Sequence, residues 1–279
     1  MTQTVLGSIV SLWRYPVKSM LGEELNSTEV TNRGLLGDRA YALVDSSDGK
    51  VATAKNPRKW PHLFDCRAAL TDIPVAGTKA LPVRITLPNG DTVDSEQPNV
   101  NQMLSKEVNR DVKLSVSPDV QTATAEEYWP DIEGLDHRDT VTDFALSERT
   151  FFDCALVHLL TTATLDRLRE LYPQGRFEVR RFRPNIVVET ASGVKNFAEN
   201  AWIGHTLALG DAVRLSITGL CARCVMTTLP QADLPKDAGI LRAAAQHNRA
   251  NVGVYASVLQ GGKIRRGEPV RLEQLSGST

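Results

Sequence analysis

Two thiols and a guanidinium fall within four residues at Cys221-Ala-Arg-Cys224, directly after an apolar run from Val213 to Thr218. Thiolates are soft metal ligands and nucleophiles, and an adjacent cation favours the ionised form. The segment, read as a short loop, is therefore a candidate reaction centre. Its spacing suits a redox dithiol, half of a zinc site, or two buried structural thiols. Zinc needs two more ligands, and Cys66 and Cys154 stand far from each other and from this pair in the sequence. A thioredoxin-like dithiol should sit between a strand and the start of a helix, whereas Val225 to Leu229, ended by Pro230, reads as a β-branched strand. Buried thiols stay open as a reading, because free cysteine is among the most buried residue types.

Three other segments carry polar groups suited to an anion. Tyr15-Pro16-Val17-Lys18-Ser19 ends a strand with a cation and a hydroxyl, which supply charge and a directional hydrogen bond; a solvated strand end is the alternative. In Gly37-Asp38-Arg39-Ala40-Tyr41 a turn leads into a strand, and Asp38 can orient the planar fork of Arg39 towards a pocket or form a surface ion pair with it. Arg180-Arg181-Phe182-Arg183-Pro184-Asn185 sets three guanidiniums before a strand, where they repel one another unless an anion or acidic neighbours offset them. The five histidines, His62, His137, His158, His205 and His247, form no HExxH or HxH pattern. A GxSxG elbow, a Walker loop and a strand-following GxGxxG are absent from the sequence, which removes the common hydrolase, NTPase and dinucleotide readings.

The elements that must position these groups belong to a globular chain of 279 residues, long enough for one large or two ordinary cores at 42% hydrophobic and 23% charged residues. A net charge of −1 and a pI near 6.5 argue against a general nucleic-acid or membrane-surface binder. Four cysteines are too few for a disulfide scaffold of this length, so a reducing compartment is expected. With no secretory pattern at Met1 to Met20 and no run of about 20 apolar residues, the expected location is the cytoplasm.

Short β-branched runs fill the first half: Ser8 to Trp13, Leu25 to Val30, Ala40 to Val44, Val83 to Leu87 and Val112 to Val116. Pro88-Asn89-Gly90-Asp91 is a hairpin signal, and Val100 to Val108 has helical spacing. An acidic linker or surface loop is expected from Pro118 to Asp139. The second half offers strands at Val157 to Leu160, Ile186 to Glu189, Leu207 to Leu209, Val213 to Thr218, Val225 to Leu229, Gly253 to Leu259 and Val270 to Glu273. Helices are expected at Ala163 to Leu171 and Ile240 to His247. A mostly β fold with a few helices fits barrels.

Together and in this order, YPVKS (Tyr15 to Ser19), GDRAYALVD (Gly37 to Asp45), RFRPNIVV (Arg181 to Val188) and CARCVMTT (Cys221 to Thr228) resemble the MOSC family, named for the molybdenum cofactor sulfurase C-terminal domain. The resemblance spans nearly the whole chain. It implies an N-terminal β-barrel-like domain at 1–122 and a β-barrel MOSC domain at 123–279. Within the family the sequence is similar to amidoxime-reducing components and to bacterial reductases of N-hydroxylated bases. That implies a detoxifying oxidoreductase carrying a molybdenum cofactor, Mo-molybdopterin rather than pyridoxal phosphate. Its substrates would be small N-hydroxylated molecules such as amidoximes, hydroxylamines and N-hydroxylated bases.

Carried over residue by residue, Cys224 matches the molybdenum ligand and catalytic centre, and Cys221 becomes an adjacent non-ligand. Lys18, Ser19, Arg39, Thr161, Arg183 and Asn185 match cofactor-holding positions, as do Ala222, Arg223 and Tyr255 beside the metal. A dianionic phosphate ester on a dithiolene-bound metal needs cations and hydroxyls together with a thiolate, and these residue types supply both. The sequence lacks the Cx4Cx2C pattern of a fused ferredoxin. Electrons are then expected from a separate donor protein: a ferredoxin, a b-type cytochrome or a flavin reductase. A second role known in the family stays open, a sulfur carrier with a persulfide on the same cysteine or a carrier of the cofactor. No nucleic-acid or membrane partner is expected.

Overall fold

The computed structural model describes residues 3–77, 81–117, 123–133 and 137–273. Seven strands close a barrel: β1 (Gln3–Arg14), β2 (Val157–Thr161), β3 (Ile186–Thr190), β4 (Thr206–Leu209), β5 (Val213–Ala222), β6 (Asn251–Gln260) and β7 (Pro269–Glu273). Around the barrel they run β3-β2-β6-β5-β4-β7-β1, and β1 returns to pair with β3. Closure leaves these strands no open edge between first and last. Four helices, α1 (Val100–Val108), α2 (Thr162–Leu171), α3 (Val179–Phe182) and α4 (Gly239–Asn248), accompany the sheets. β2 and β3 are parallel, and α2 and α3 make the crossover such a pair requires.

Alternation places the barrel core. Leu207 and Leu209, Val213, Leu215 and Ile217, and Val254 and Ala256 recur at every second position and are buried together with Ile9, Leu12, Ile186 and Val188. A second core belongs to the first half, where Leu43, Trp60, Leu63, Phe64, Ile85, Leu104 and Val112 are buried. Its strands at Arg67–Leu70, Val83–Thr86 and Thr92–Asp94 form an antiparallel sheet, with the expected hairpin at Pro88 to Asp91 joining the last two. The first strand of the chain nevertheless lies in the barrel, so the two halves interlock. The boundary read at 122/123 adjoins residues 118–122, which lie outside the described ones.

Four local expectations are corrected. The acidic stretch from Pro118 to Asp139 is not a plain linker, because Thr124–Trp129 pairs with Thr140–Ala145 as an antiparallel ladder over six residue pairs; residues 118–122 and 134–136 of it are not described. Val225–Thr228 is a 3₁₀ helix, not a strand. The hydroxyls of Thr227 and Thr228 donate back three residues, to the Cys224 carbonyl (3.1 Å) and the Val225 carbonyl (2.8 Å), which favours the tight turn over an extended chain. Finally, β5 runs on through Cys221 and Ala222, so Cys221 belongs to a strand and not to a loop. The expected strand from Leu25 to Val30 divides into Glu23–Leu25 and Ser27–Thr31.

Leu12, wholly buried where β1 closes the barrel, is predicted to cost about 2–5 kcal/mol on Leu12→Ala, measured by chemical denaturation. Val5→Ser on the same strand, at a residue 57% exposed, is predicted to stay within about 0.5 kcal/mol.

Candidate functional site

Cys224 sits at the seam between the two cores. The strand before it, β5, is anchored in the barrel by Val213, Leu215 and Ile217, while Val225, Met226 and Leu229 just after it are buried in the core of the first half. Packing on both sides thus fixes the short connection that carries the thiol. Cys224 lines a cavity of about 320 Å³, whereas Cys221 is wholly buried and does not line it. The pairing of β5 with β6 slips between Leu220 and Ala222, a bulge that turns Cys221 away from the ladder's regular alternation.

Eight of the residues expected at the site line this one cavity: Lys18, Arg39, Arg183, Asn185, Ala222, Arg223, Cys224 and Tyr255. Ser19 and Thr161 do not. The Ser19 hydroxyl accepts the Ala54 N–H (3.0 Å) and is committed to the backbone of the first half. Thr161 caps α2 by accepting the Thr164 N–H (3.1 Å) and donates to the buried Glu199 carboxylate (2.5 Å), so its hydroxyl is used inside the fold. Of the three clustered arginines only Arg183 reaches the cavity. Arg180 pairs with Glu178 and Asp233, and Arg181 is buried with its guanidinium donating to the carbonyls of Arg176 (2.8 Å), Pro235 (2.8 Å), Thr227 and Leu229 (both 3.2 Å). Arg181 thereby holds the 3₁₀ turn after Cys224.

Lys55, Asp153, Cys154, His158 and Arg249 also line the cavity, although their local sequence carries no pattern that marks them. Asp153 bridges two lysines from the first half, pairing with Lys18 and with Lys55 (3.3 Å). Lys18 donates further to the Phe151 carbonyl (2.8 Å), and Lys55 also pairs with Glu127 (3.3 Å). Gly253 sits beside His158 because a Cβ there would lie 2.2 Å from its Nε2.

Positive charge dominates the lining. Six cationic side chains, Lys18, Arg39, Lys55, Arg183, Arg223 and Arg249, face two carboxylates, Glu127 and Asp153. Arg183 is buried with no carboxylate at ion-pair distance among the described residues, and Arg39 lies close by, the two guanidiniums standing 4.1 and 4.6 Å from the centre of the Tyr15 ring. Burial, with repulsion from Arg39, lowers Arg183 to about 9. Burial also lowers Lys18, against the pull of Asp153. Lys55 is likewise disfavoured as a cation by burial, but Asp153, Cys224 and Glu127 outweigh this and raise it. At Cys224 burial pushes the thiol up to about 11 while Lys55 opposes it. A soft metal ion would displace that proton, since a coordinating thiol is deprotonated outright.

A closed barrel is joined to a second sheet-rich half, and the cationic cavity between them is lined by two thiols, Cys154 and Cys224, a chemistry that suits an anionic group beside sulfur. The chain belongs to the MOSC family: the MOSC N-terminal beta barrel domain matches residues 6–145 and the MOSC domain matches residues 147–271. It is 26% identical to mitochondrial amidoxime-reducing component 1 of Mus musculus, over 80% of this chain and 66% of that protein, just under two thirds of its length. To mitochondrial amidoxime reducing component 2 of Rattus norvegicus it is 25% identical, over 95% of this chain and 83% of that one. A molybdenum cofactor sulfurase of Bos taurus is 22% identical over 88% of this chain and 30% of its own length.

The Lys18–Asp153–Lys55 bridge gives a pH dependence with a definite sign. The two ammonium groups overcome the effect of burial and hold Asp153 well below the ordinary carboxylate range. Its contribution to stability is therefore complete above the unfolded value of about 3.9 and is lost as pH falls below it. Denaturation curves of wild type and Asp153→Asn are predicted to differ at neutral pH and to converge in acid.

Proposed function

We propose that this chain is a molybdenum-cofactor oxidoreductase that reduces small N-hydroxylated compounds, with Cys224 as the protein's sulfur ligand to the metal. The observation that supports it most is Arg183, a buried guanidinium with a second one beside it and no carboxylate of its own. Leaving such a charge unpaired is costly, so the cavity fits a ligand that brings negative charge with it. The donor set fits the cofactor: Arg183, Arg39 and Lys18 suit the phosphate, and the thiol of Cys224 suits the metal. The cofactor, when bound, supplies two-electron chemistry.

The chain's own residues bind and orient. Asn185 lines the cavity but spends its amide on Asp38 (2.8 Å), the Trp13 carbonyl (3.3 Å) and the His158 N–H (3.1 Å), so it positions its neighbours more than it grips a ligand. Trp129 and Phe152 add apolar wall. Reduction of an N-hydroxyl group takes two electrons and two protons and releases the oxygen as water. The electrons would come from a separate donor protein. All four cysteines are free, which suits a reducing compartment, and a cytoplasmic location is part of this proposal.

Protein from a cofactor-competent host should contain molybdenum and pterin in near-equal amounts and reduce a benzamidoxime-type substrate given an artificial electron donor. Cys224→Ser is predicted to lower that activity by more than about 100-fold, beyond what outer residues of a metal site usually cost. Purified wild type with no molybdenum and a persulfide on Cys224 would instead establish the sulfur carrier.

A further inference from the structure

Cys221 has no part in the reading above, yet it is densely partnered. Arg223 donates to its sulfur through Nη1. His158, Tyr255 and Cys154 are titratable groups close enough to act on it electrostatically. Arg223 in turn has no carboxylate at ion-pair distance among the described residues. Its other side-chain bond goes to the Phe182 carbonyl (3.0 Å), and its buried Nε has no partner. A desolvated guanidinium with only neutral acceptors is unfavourable, and the sulfur of Cys221 is the group placed to offset it.

We propose that Cys221 is a positioning residue whose sulfur, as a thiolate, is the counter-anion of Arg223 and so fixes the Ala222–Cys224 turn against the cavity wall. The backbone agrees: the Arg223 N–H donates to the Ala250 carbonyl (2.7 Å), so main chain and side chain of Arg223 are both tied down immediately before Cys224. Tyr255 is consistent with an anion there, since burial and the neighbouring Cys221 charge both keep its phenol protonated and able to donate. Burial raises the Cys221 thiol, but Arg223 and then His158 outweigh it and hold it below the ordinary range. Complete burial bars Cys221 from attacking a substrate, so the CxxC pair is neither a dithiol nor a pair of equals. This inference does not depend on molybdenum.

The test uses the full chain prepared without cofactor, so its outcome is separable from metal content. With Cys66, Cys154 and Cys224 replaced by Ser, thiolate absorbance in the ultraviolet should develop with a midpoint at least about one unit below the ~8.5 of a free thiol; a midpoint at or above that value overturns the proposal. The second measurement needs only Cys221→Ser in the otherwise native chain. A depressed folded value means that the stability contributed by the thiolate is complete above the unfolded value of about 8.5 and declines as pH falls through the folded one. The deficit of Cys221→Ser against wild type should therefore be larger at about pH 9 than at about pH 6. Equal deficits at both would mean that the sulfur only fills space.

Discussion

One buried carboxylate, Asp38, ties together the parts that make the cavity. Its Oδ1 accepts the Tyr15 N–H (2.7 Å), and its Oδ2 accepts Asn185 Nδ2 (2.8 Å) and the Arg39 guanidinium. These partners come from the end of β1, from the turn before the strand Tyr41–Asp45 and from the residue that opens β3. Tyr15, so placed, carries Arg39 and Arg183 against its ring, and its hydroxyl donates to the Pro184 carbonyl (3.2 Å). One anion therefore organises two guanidiniums but neutralises only one. The surplus charge is what faces the cavity, and a cation–π contact of about 0.5–2 kcal/mol reduces its cost without removing it.

The backbone is held in uncommon conformations at the same place. Arg39, Arg183 and Arg249 line the cavity with φ of 48°, 52° and 51°, and Ser19 beside Lys18 has φ of 63°. Side chains other than glycine adopt this region at a cost of about 1–3 kcal/mol each, sustained only where the surroundings over-determine it. The surroundings do so here. Arg39 N–H donates to the Tyr15 carbonyl (2.9 Å), Arg183 N–H to the Val179 carbonyl (3.2 Å), and Ser19 accepts from Ala54. The rest of the fold sustains this strain, and its concentration around one cavity is independent of the charge argument.

Barrel strands were legible as short apolar or β-branched runs, and in β5 the apolar positions Val213, Leu215 and Ile217, which alternate with Arg214 and Ser216, are the buried ones. Motifs near the cavity were legible because their residue types are unusual side by side, as in Arg39 beside Asp38 or Cys224 beside Arg223. Asp153 and Lys55 were not, because their meaning lies in a contact between halves more than ninety residues apart in sequence, and an isolated lysine or aspartate looks like solvated surface. Thr161, expected at the site from the family resemblance, does not line this cavity. A hydroxyl at the end of a strand suits a ligand and a helix N-cap equally, and α2 begins right after it. The run Val225 to Leu229 misled because β-branched residues signal strands only when their side chains do not bond back to the main chain, as Thr227 and Thr228 do.

The position of Cys224 follows from none of its neighbours alone. β5 must keep its pairing with β6 through three register shifts, the last between Leu220 and Ala222, and the 3₁₀ turn must seat Val225 and Met226 in a core built from the other half of the chain. Arg181, buried under that turn, bonds the Thr227 and Leu229 carbonyls and so joins the second half's helix α3 to the segment anchored in the first. Loosening either core would move the thiol relative to Arg183, Arg39 and Lys18 before any of them changed chemically. The cavity is in this sense a property of the interface between two cores, and its chemistry depends on their docking as much as on the residues that line it.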